Sequence, residues 1–481
     1  MVYSISASRI PAPSAGLSAS ANCSSRFATT APMAAKEDIA LRTGDTFSRS
    51  SISRWRSRVR QSIVAGAVGL SLAACGSDDP REGHVGFVSS DFGGVVSDEP
   101  RSALIGRDIL SAGGNAIDAA VATYFALAVT YPGAASLGGG GMCVVFRGGG
   151  ETVEAIDFRS WIFEKDGKAA MIPGAVRGMF ALHARYGRLQ WEALLLPAER
   201  LARFGNPVSR AFAQSLAAVP LPALTDPTLQ RLFAPAGKMT KEGDILTQFE
   251  LSATLARIRL RGPGDFYAGD FAKILAKGLG AAAKIDIPIA AFRDYRPKWL
   301  KTEKISIGKD ELHLPANPVG AGAAALWRRT GGGTERLARA SYDSAGFVSV
   351  DRQGGGAACV VSTNGTLGGG RMIGPSGILM AARPRGDAFS GVPMLLINRP
   401  LRDTRGAAVG AGGGDAAARV IAAARKMFGD DVLPKKAFGS VEGAAGRAGL
   451  IHCPTGARES PDSCRFAADP AGHGLAVSAA L

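Results

Sequence analysis

Several signals that would announce familiar chemistry are missing from this chain. Its five histidines, His84, His183, His313, His452 and His473, are scattered over 481 residues and form no HExxH pair. None of its six cysteines stands in a CxxC spacing. Zinc sites need such clustering, so no metal and no metal-dependent step is expected. No GxSxG turn is present to raise a serine at a strand–helix elbow. The closest approach to a dinucleotide-binding loop, Gly320 to Ala325, follows Asn317-Pro318 rather than a strand, so no nucleotide cofactor is expected either. Basic residues exceed acidic ones by fifteen, yet residues 1–74 alone hold nine Lys/Arg against three Asp/Glu. The rest are dispersed, without an aromatic-interleaved stripe, and nucleic-acid binding is not expected.

Glycine, in contrast, is abundant at 63 residues, with no collagen period and no short repeat. In a chain that is 46% hydrophobic and 20% charged, this reads as a globular fold with many tight turns and close backbone approaches. The leading segment reads as an address. Residues 1–53 are rich in Ser, Ala and Thr and carry no apolar period, so they are expected to be disordered. Four arginines between Arg54 and Arg60, an apolar stretch from Ile63 to Ala74 and then Cys75 have the layout of a secretory signal, and the stretch is short for a membrane span. Leu72-Ala73-Ala74-Cys75-Gly76 is similar to a bacterial lipobox, which makes Cys75 the expected lipid attachment site and the periplasmic face of a membrane the expected location. Met33 is a second candidate start. Residues 75–83 read as a linker. In an oxidising compartment Cys453 and Cys464, flanking a polar turn-rich loop, could pair. Cys143 and Cys359, in the apolar runs MCVVF and AACVV, read as buried thiols.

From about residue 84 onward, strand-like and helical runs alternate, which argues for sheets covered by helices. Ala116 to Pro132 is apolar almost all round, the mark of a buried helix. Helices are also expected from Pro173-Gly174 to Gly187, from Trp191 to Gly205, through most of 208–283, and from Asp415 to Phe428. Strands are expected at FVSVD, ACVVS and ILM, separated by glycine turns.

Two blocks carry more specific information. GGNAIDAAVATYFALAVTYP, SLGGGGMCVVF, AIDFR and the segment from Ile172 to Ser209 resemble the large-subunit signature of the γ-glutamyltranspeptidases. STNGTLGGGRMIGPSGILMA and the glycine run Gly410 to Gly414 resemble the small subunit. The resemblance covers residues 84–475. It implies an α+β fold, the four-layer αββα sandwich of N-terminal-nucleophile hydrolases, with an added helical region at about 170–283. It also implies a large-subunit region 84–343 and a small-subunit region 344–481, separated by self-cleavage between Asp343 and Ser344, so that the mature protein is a heterodimer of its own two fragments.

In that chemistry a new N-terminal hydroxyl residue attacks an amide and its own α-amine serves as base, with an ordinary pKa of about 7.7–8.0. The family's nucleophile is Thr, and here the position carries Ser344, which lacks the methyl that stiffens χ1. Ala345 replaces a second Thr. Carried over singly, Arg159 would hold a substrate carboxylate, Asn364 would contact substrate, and Gly413 and Gly414 would supply oxyanion-hole N–H groups. Asp387 remains near an amino-acid headgroup site that has lost a second carboxylate at Ala388 and a serine pair at Leu395-Leu396. The expected partner is therefore a small amide, glutathione-like or otherwise carboxyl-bearing, as in the related cephalosporin acylases. The rival expectation is an unprocessed, inactive, lipid-anchored family member serving as a binding or scaffold protein.

Overall fold

A computed structural model describes residues 88–89, 93–329, 343–384, 391–413, 415–439 and 446–478. All of them fall in the unit from Asp79 to Leu481. The expected signal, Cys75 and the 75–83 linker lie outside the described residues, as do Asp387 and Gly414.

Two seven-stranded sheets form the centre. Strands are numbered in chain order. The first sheet runs, edge to edge, β1 (Val88–Ser89), β17 (Arg465–Ala468), β16 (Arg447–His452), β15 (Asp403–Ala411), β14 (Gly391–Asn398), β11 (Asp310–Pro315), β10 (Thr302–Ile307). The second runs β18 (Leu475–Ser478), β2 (Gly93–Ser97), β12 (Ser344–Asp351), β13 (Gly356–Ser362), β3 (Gly140–Phe146), β4 (Val153–Asp157), β9 (Lys298–Leu300). Pairing is antiparallel throughout. Two short hairpins, β5 (Trp161–Lys165) with β6 (Lys168–Ile172) and β7 (Asn206–Pro207) with β8 (Ile245–Leu246), stand apart from them.

Side chains alternate between the two faces of a strand, so each sheet feeds two cores. Val348 and Val350 of β12 meet Val409 of β15 and Ile451 of β16 between the sheets, while Ala345 and Phe347 face a helical layer. That layer contains the Ala116–Thr130 helix, every residue of which is buried. On the far side, Leu396 and Ala408 pack with Val420 and Ala424 of the Ala416–Ala424 helix. Helix, sheet, sheet, helix is the expected αββα order. Strands buried on both faces explain the near-continuous apolar runs in this sequence.

Most expected elements form. Asn115 caps the Ala116–Thr130 helix, with Asp118 reciprocating on the Asn115 N–H. The Trp191–Phe204 helix closes on Gly205 at φ +94, and the added helical region includes helices Arg210–Ala217, Pro227–Phe233, Phe249–Tyr267 and Asp270–Ala283. Gly187 ends the Ala175–Tyr186 helix in extended backbone, not the left-handed conformation of a glycine cap. It is crowded instead, because a Cβ there would run into the His183 ring and carbonyl. The glycines at 320 and 322 lie inside a helix, Pro318–Arg328, capped by Asn317. The ILM run is no strand: Leu379 and Met380 make only isolated bridges to Met372 and Gly138.

Candidate active site

Ser344 opens β12, and its parity with Val348 and Val350 turns its side chain into the layer between the sheets. There it reaches the end of β15. The Gly412 N–H donates to Ser344 Oγ at 2.8 Å. Gly412 adopts φ +83 and packs so tightly that a Cβ would stand 2.5 Å from the Arg447 guanidinium, so only glycine can occupy this turn. Gly413 follows at φ +148. The family resemblance puts the N–H pair at Gly413 and Gly414; the structure brings Gly412 to the hydroxyl, one residue earlier.

The peptide bond preceding Ser344 is held as firmly. The Asp343 carbonyl accepts hydrogen bonds from Ser362 Oγ at 2.7 Å and from the Thr363 N–H at 3.1 Å. Ser362 is the cross-strand partner of Ser344, and its hydroxyl in turn accepts the Asn364 N–H at 2.8 Å. Asn364 sits at φ +59 and donates from Nδ2 to the Ala382 carbonyl at 3.1 Å, which fixes the turn that follows β13. Ser344 is fully buried.

Beneath the nucleophile position lies an ion pair between the sheets. Arg447, at the start of β16, donates from Nη2 to the Ser344 carbonyl at 2.7 Å and from Nε to Asp98 Oδ2 at 3.2 Å. Asp98 Oδ2 also accepts the Gly346 N–H at 2.9 Å, and the Asp98 N–H donates to the Gly346 carbonyl at 3.1 Å. Asp98 is 6% and Arg447 5% exposed. Burial pushes the Asp98 carboxyl above its ordinary value, and the adjacent Arg447 charge opposes that shift. A second buried pair, Arg419 with Asp469, stands behind, where Asp469 also accepts the Ala448 N–H.

Arg159 lies across the sheet. Ser344 pairs with Ser362, Ser362 pairs with Gly140, and Phe158 exchanges backbone hydrogen bonds with Gly141. Three steps of about 4.8 Å put the Arg159 backbone about 14 Å from that of Ser344. Its guanidinium is clamped by Asp157, Nε to Oδ1 at 3.0 Å and Nη2 to Oδ2 at 2.7 Å, and the Tyr295 hydroxyl donates to its carbonyl at 3.0 Å.

Two expectations need correction. Cys143 and Cys359 are joined in a disulfide rather than left as thiols, because β3 and β13 set them directly opposite each other. Cys453 and Cys464 are joined as well. Leu395 and Leu396 do not border the Ser344 end. They are buried on opposite faces in the middle of β14, so their apolar character serves the two cores and is no loss from a substrate pocket. The sequence reading missed Ser362, Gly412, Asp98 and Arg447. The adjacent acids Asp98-Glu99 after GGVVS and a lone arginine before AGLIH, each at the edge of an apolar strand, were the available signals for a buried pair. Among the described residues no three His, Cys, Asp or Glu side chains gather as metal ligands, and no helix is long and apolar enough to cross a membrane.

Two antiparallel sheets between helical layers have the αββα architecture of the N-terminal-nucleophile hydrolase fold. The fold matches the crystal structure of cephalosporin acylase from Bacillus halodurans with a TM-score of 0.66, covering 84% of this chain and 98% of that one at 18% identity. Residues 102–330 match the γ-glutamyltranspeptidase family model. It is 31% identical over 278 residues to the glutathione hydrolase proenzyme of Pseudomonas aeruginosa, covering 54% of this chain and 48% of that protein. It is 34% identical over 224 residues to scoloptoxin SSD14 of Scolopendra dehaani, covering 43% and 39%. The chain thus spans less than half the length of these curated relatives.

Proposed function

We propose that this protein is a self-cleaving amidohydrolase or acyltransferase in which Ser344 is the nucleophile. The observation that carries the reading is the setting of the Asp343–Ser344 peptide bond, whose carbonyl oxygen already holds two donors, Ser362 Oγ–H and Thr363 N–H. Attack of Ser344 Oγ on the Asp343 carbonyl carbon puts negative charge on that oxygen, where preorganised donors lower the barrier most. The C–N bond then breaks, the Ser344 amine takes up the hydroxyl proton, and water hydrolyses the resulting ester to leave Asp343 with a free carboxylate.

The freed α-amine then acts as base for its own hydroxyl. Ser344 Oγ attacks the substrate amide, the Gly412 and Gly413 N–H groups face the developing oxyanion, and the amine product leaves with the proton. Water or an amine resolves the acyl-enzyme. Since Ser344 is fully buried in the uncut chain, the uncut chain is a proenzyme. The substrate is a small amide bearing a carboxylate, glutathione-like or otherwise, with Arg159 and Asp387 on its headgroup and Asn364 holding the turn beside the hydroxyl.

The protein is exported and lipid-anchored through Cys75 on the periplasmic side. Support comes from the Leu72–Gly76 motif and from two disulfides, which persist in oxidising compartments.

The test is a reducing denaturing gel with N-terminal sequencing. Purified wild type should give two bands, the smaller beginning at Ser344, and Ser344→Ala a single band without amidase activity. A wild-type chain that stays whole overturns the reading and favours an inactive binding protein.

A further inference from the structure

The boundary between the two proposed fragments does not separate two bodies; it runs back and forth through both sheets. In the second sheet β18, β12 and β13 come from downstream of Asp343 and β2, β3, β4 and β9 from upstream. The upstream and downstream pieces meet at three ladders there, β18 with β2, β2 with β12, and β13 with β3. In the first sheet they meet twice more, at β1 with β17 and β14 with β11. At one of these five seams stands a covalent bond. Cys143 of β3 and Cys359 of β13 are register partners, both fully buried on the helical side of the sheet, and they are disulfide-bonded. Cys453–Cys464 lies wholly downstream and joins nothing across the cut.

We propose that the Cys143–Cys359 disulfide staples the two fragments, so that the mature protein is a covalent heterodimer. This rests on the cut before Ser344 argued above. The bond forms when two thiols give up two electrons and two protons to a thiol–disulfide oxidant of the exporting compartment, and the later peptide cleavage leaves it untouched. The consequence is kinetic and topological. Without the staple, the piece carrying Ser344 is held only by strand pairing and packing, and any opening that frees it makes reassociation bimolecular. With the staple, the partner strand stays at high effective concentration and recombination is intramolecular. The staple also ties the nucleophile-bearing piece to the upstream piece that carries Cys75, so a lipid anchor on that cysteine retains both.

The test uses full-length protein, denatured with a thiol-blocking reagent and run with and without reductant, beside a non-reduced tryptic map. The expected result is one band at full mass without reductant and two with it, together with a peptide pair joined through Cys143 and Cys359 that separates on reduction. A Cys143→Ala/Cys359→Ala variant should give two bands under both conditions. After denaturation in urea and dilution, wild type should regain activity independently of protein concentration, whereas wild type reduced and alkylated in urea should regain it only as concentration rises. Two bands without reductant, or both cysteines alkylated in the untreated protein, overturn the staple while leaving the Ser344 reading intact. One band under reduction, with the linked peptide present, overturns the covalent heterodimer because the cut itself has failed.

Discussion

Arg447 donates to the carbonyl oxygen of Ser344 at 2.7 Å, so the residue proposed to attack is held through its backbone by a guanidinium buried between the sheets. Asp98 completes the arrangement by taking the Arg447 Nε and both backbone groups of Gly346. A charge taken out of water is costly unless it is paired and hydrogen-bonded, and here one pair meets both demands while fixing two residues of β12. The pair also crosses the proposed cut, Asp98 upstream and Arg447 downstream.

Asp98→Asn should therefore do more harm than loss of a surface ion pair. It leaves the guanidinium buried without its counter-charge, for which about 3–5 kcal/mol of stability is the usual cost. It should also slow self-cleavage, because Gly346 and Ser344 lose a common anchor. Denaturant unfolding and the rate of appearance of the Ser344 fragment check the two effects. The double variant Asp98→Asn/Arg447→Met should regain stability without regaining cleavage. If cleavage returns with stability, the pair is scaffolding and nothing more.

Gly412→Ala keeps its N–H but forces it away from Ser344 Oγ, and should cost about 100-fold or more in kcat, the range found when an oxyanion donor no longer reaches its oxygen. Two effects combine at this position, a left-handed φ of +83 and a Cβ placed 2.5 Å from the Arg447 guanidinium. Gly113→Ala separates them. Gly113 has φ +89 but open space where a Cβ would stand, so it should bear the backbone cost and keep its activity. Steady-state kinetics and thermal unfolding of both variants decide whether contact or strain is responsible.

The sandwich was legible from the sequence because both sheets are buried on both faces, leaving apolar runs such as MCVVF and FVSVD at strand length. Ser344 was singled out only through the family resemblance, which sets the expected cut three residues ahead of the FVSVD run. What escaped depends on partners far apart in sequence. The Cys143–Cys359 bond needs the β3–β13 register, and the Asp98–Arg447 pair needs two strands that the chain places 349 residues apart. That Gly412 is the glycine meeting the Ser344 hydroxyl escaped for another reason. In a run of adjacent glycines no side chain marks the register, and the position of the turn is set by where β15 ends, at Ala411. Leu395 and Leu396 misled for the opposite reason, since core leucines in mid-strand look like an eroded polar pocket once they are aligned to one.

Stability should fall as the solution is acidified from about pH 6.5 toward 4. His313 and His452 are 1% and 5% exposed, and burial pushes each down to about 4 from an ordinary 6.5. Glu311 lies 3.3 Å from His313 Nε2 and Asp431 3.6 Å from His452 Nδ1, but neither makes a hydrogen bond to the ring, so desolvation prevails. Between the two values the unfolded chain binds protons that the folded chain refuses, so the contribution is complete above about 6.5 and is lost as pH drops to 4. Across that window each histidine contributes about 1.4 kcal/mol for every pH unit. Buried Asp98, Asp351 and Asp403 are pushed upward and act in the opposite sense. The histidine share is thus read as a difference: unfolding midpoints at pH 7 and pH 5 should diverge less in His313→Gln/His452→Gln than in wild type. Equal divergence refutes the assignment.

Arg159 allows binding to be separated from chemistry. It stands about 14 Å from Ser344 across three strand spacings, so its removal should leave self-cleavage untouched. Its guanidinium is oriented by both oxygens of Asp157. A hydrogen bond to a charged group contributes about 1.5–3 kcal/mol, so Arg159→Ala should raise KM for a carboxyl-bearing amide about 10- to 100-fold with kcat less affected. Asp157→Asn should give a smaller rise, because the guanidinium remains but is no longer held in one plane. The decisive comparison uses the same substrate with its carboxylate converted to an amide. Wild type should then lose most of its advantage over Arg159→Ala, since the interaction that distinguishes them is gone. An undiminished advantage would mean that Arg159 supports the Asp157 loop and recognises no carboxylate.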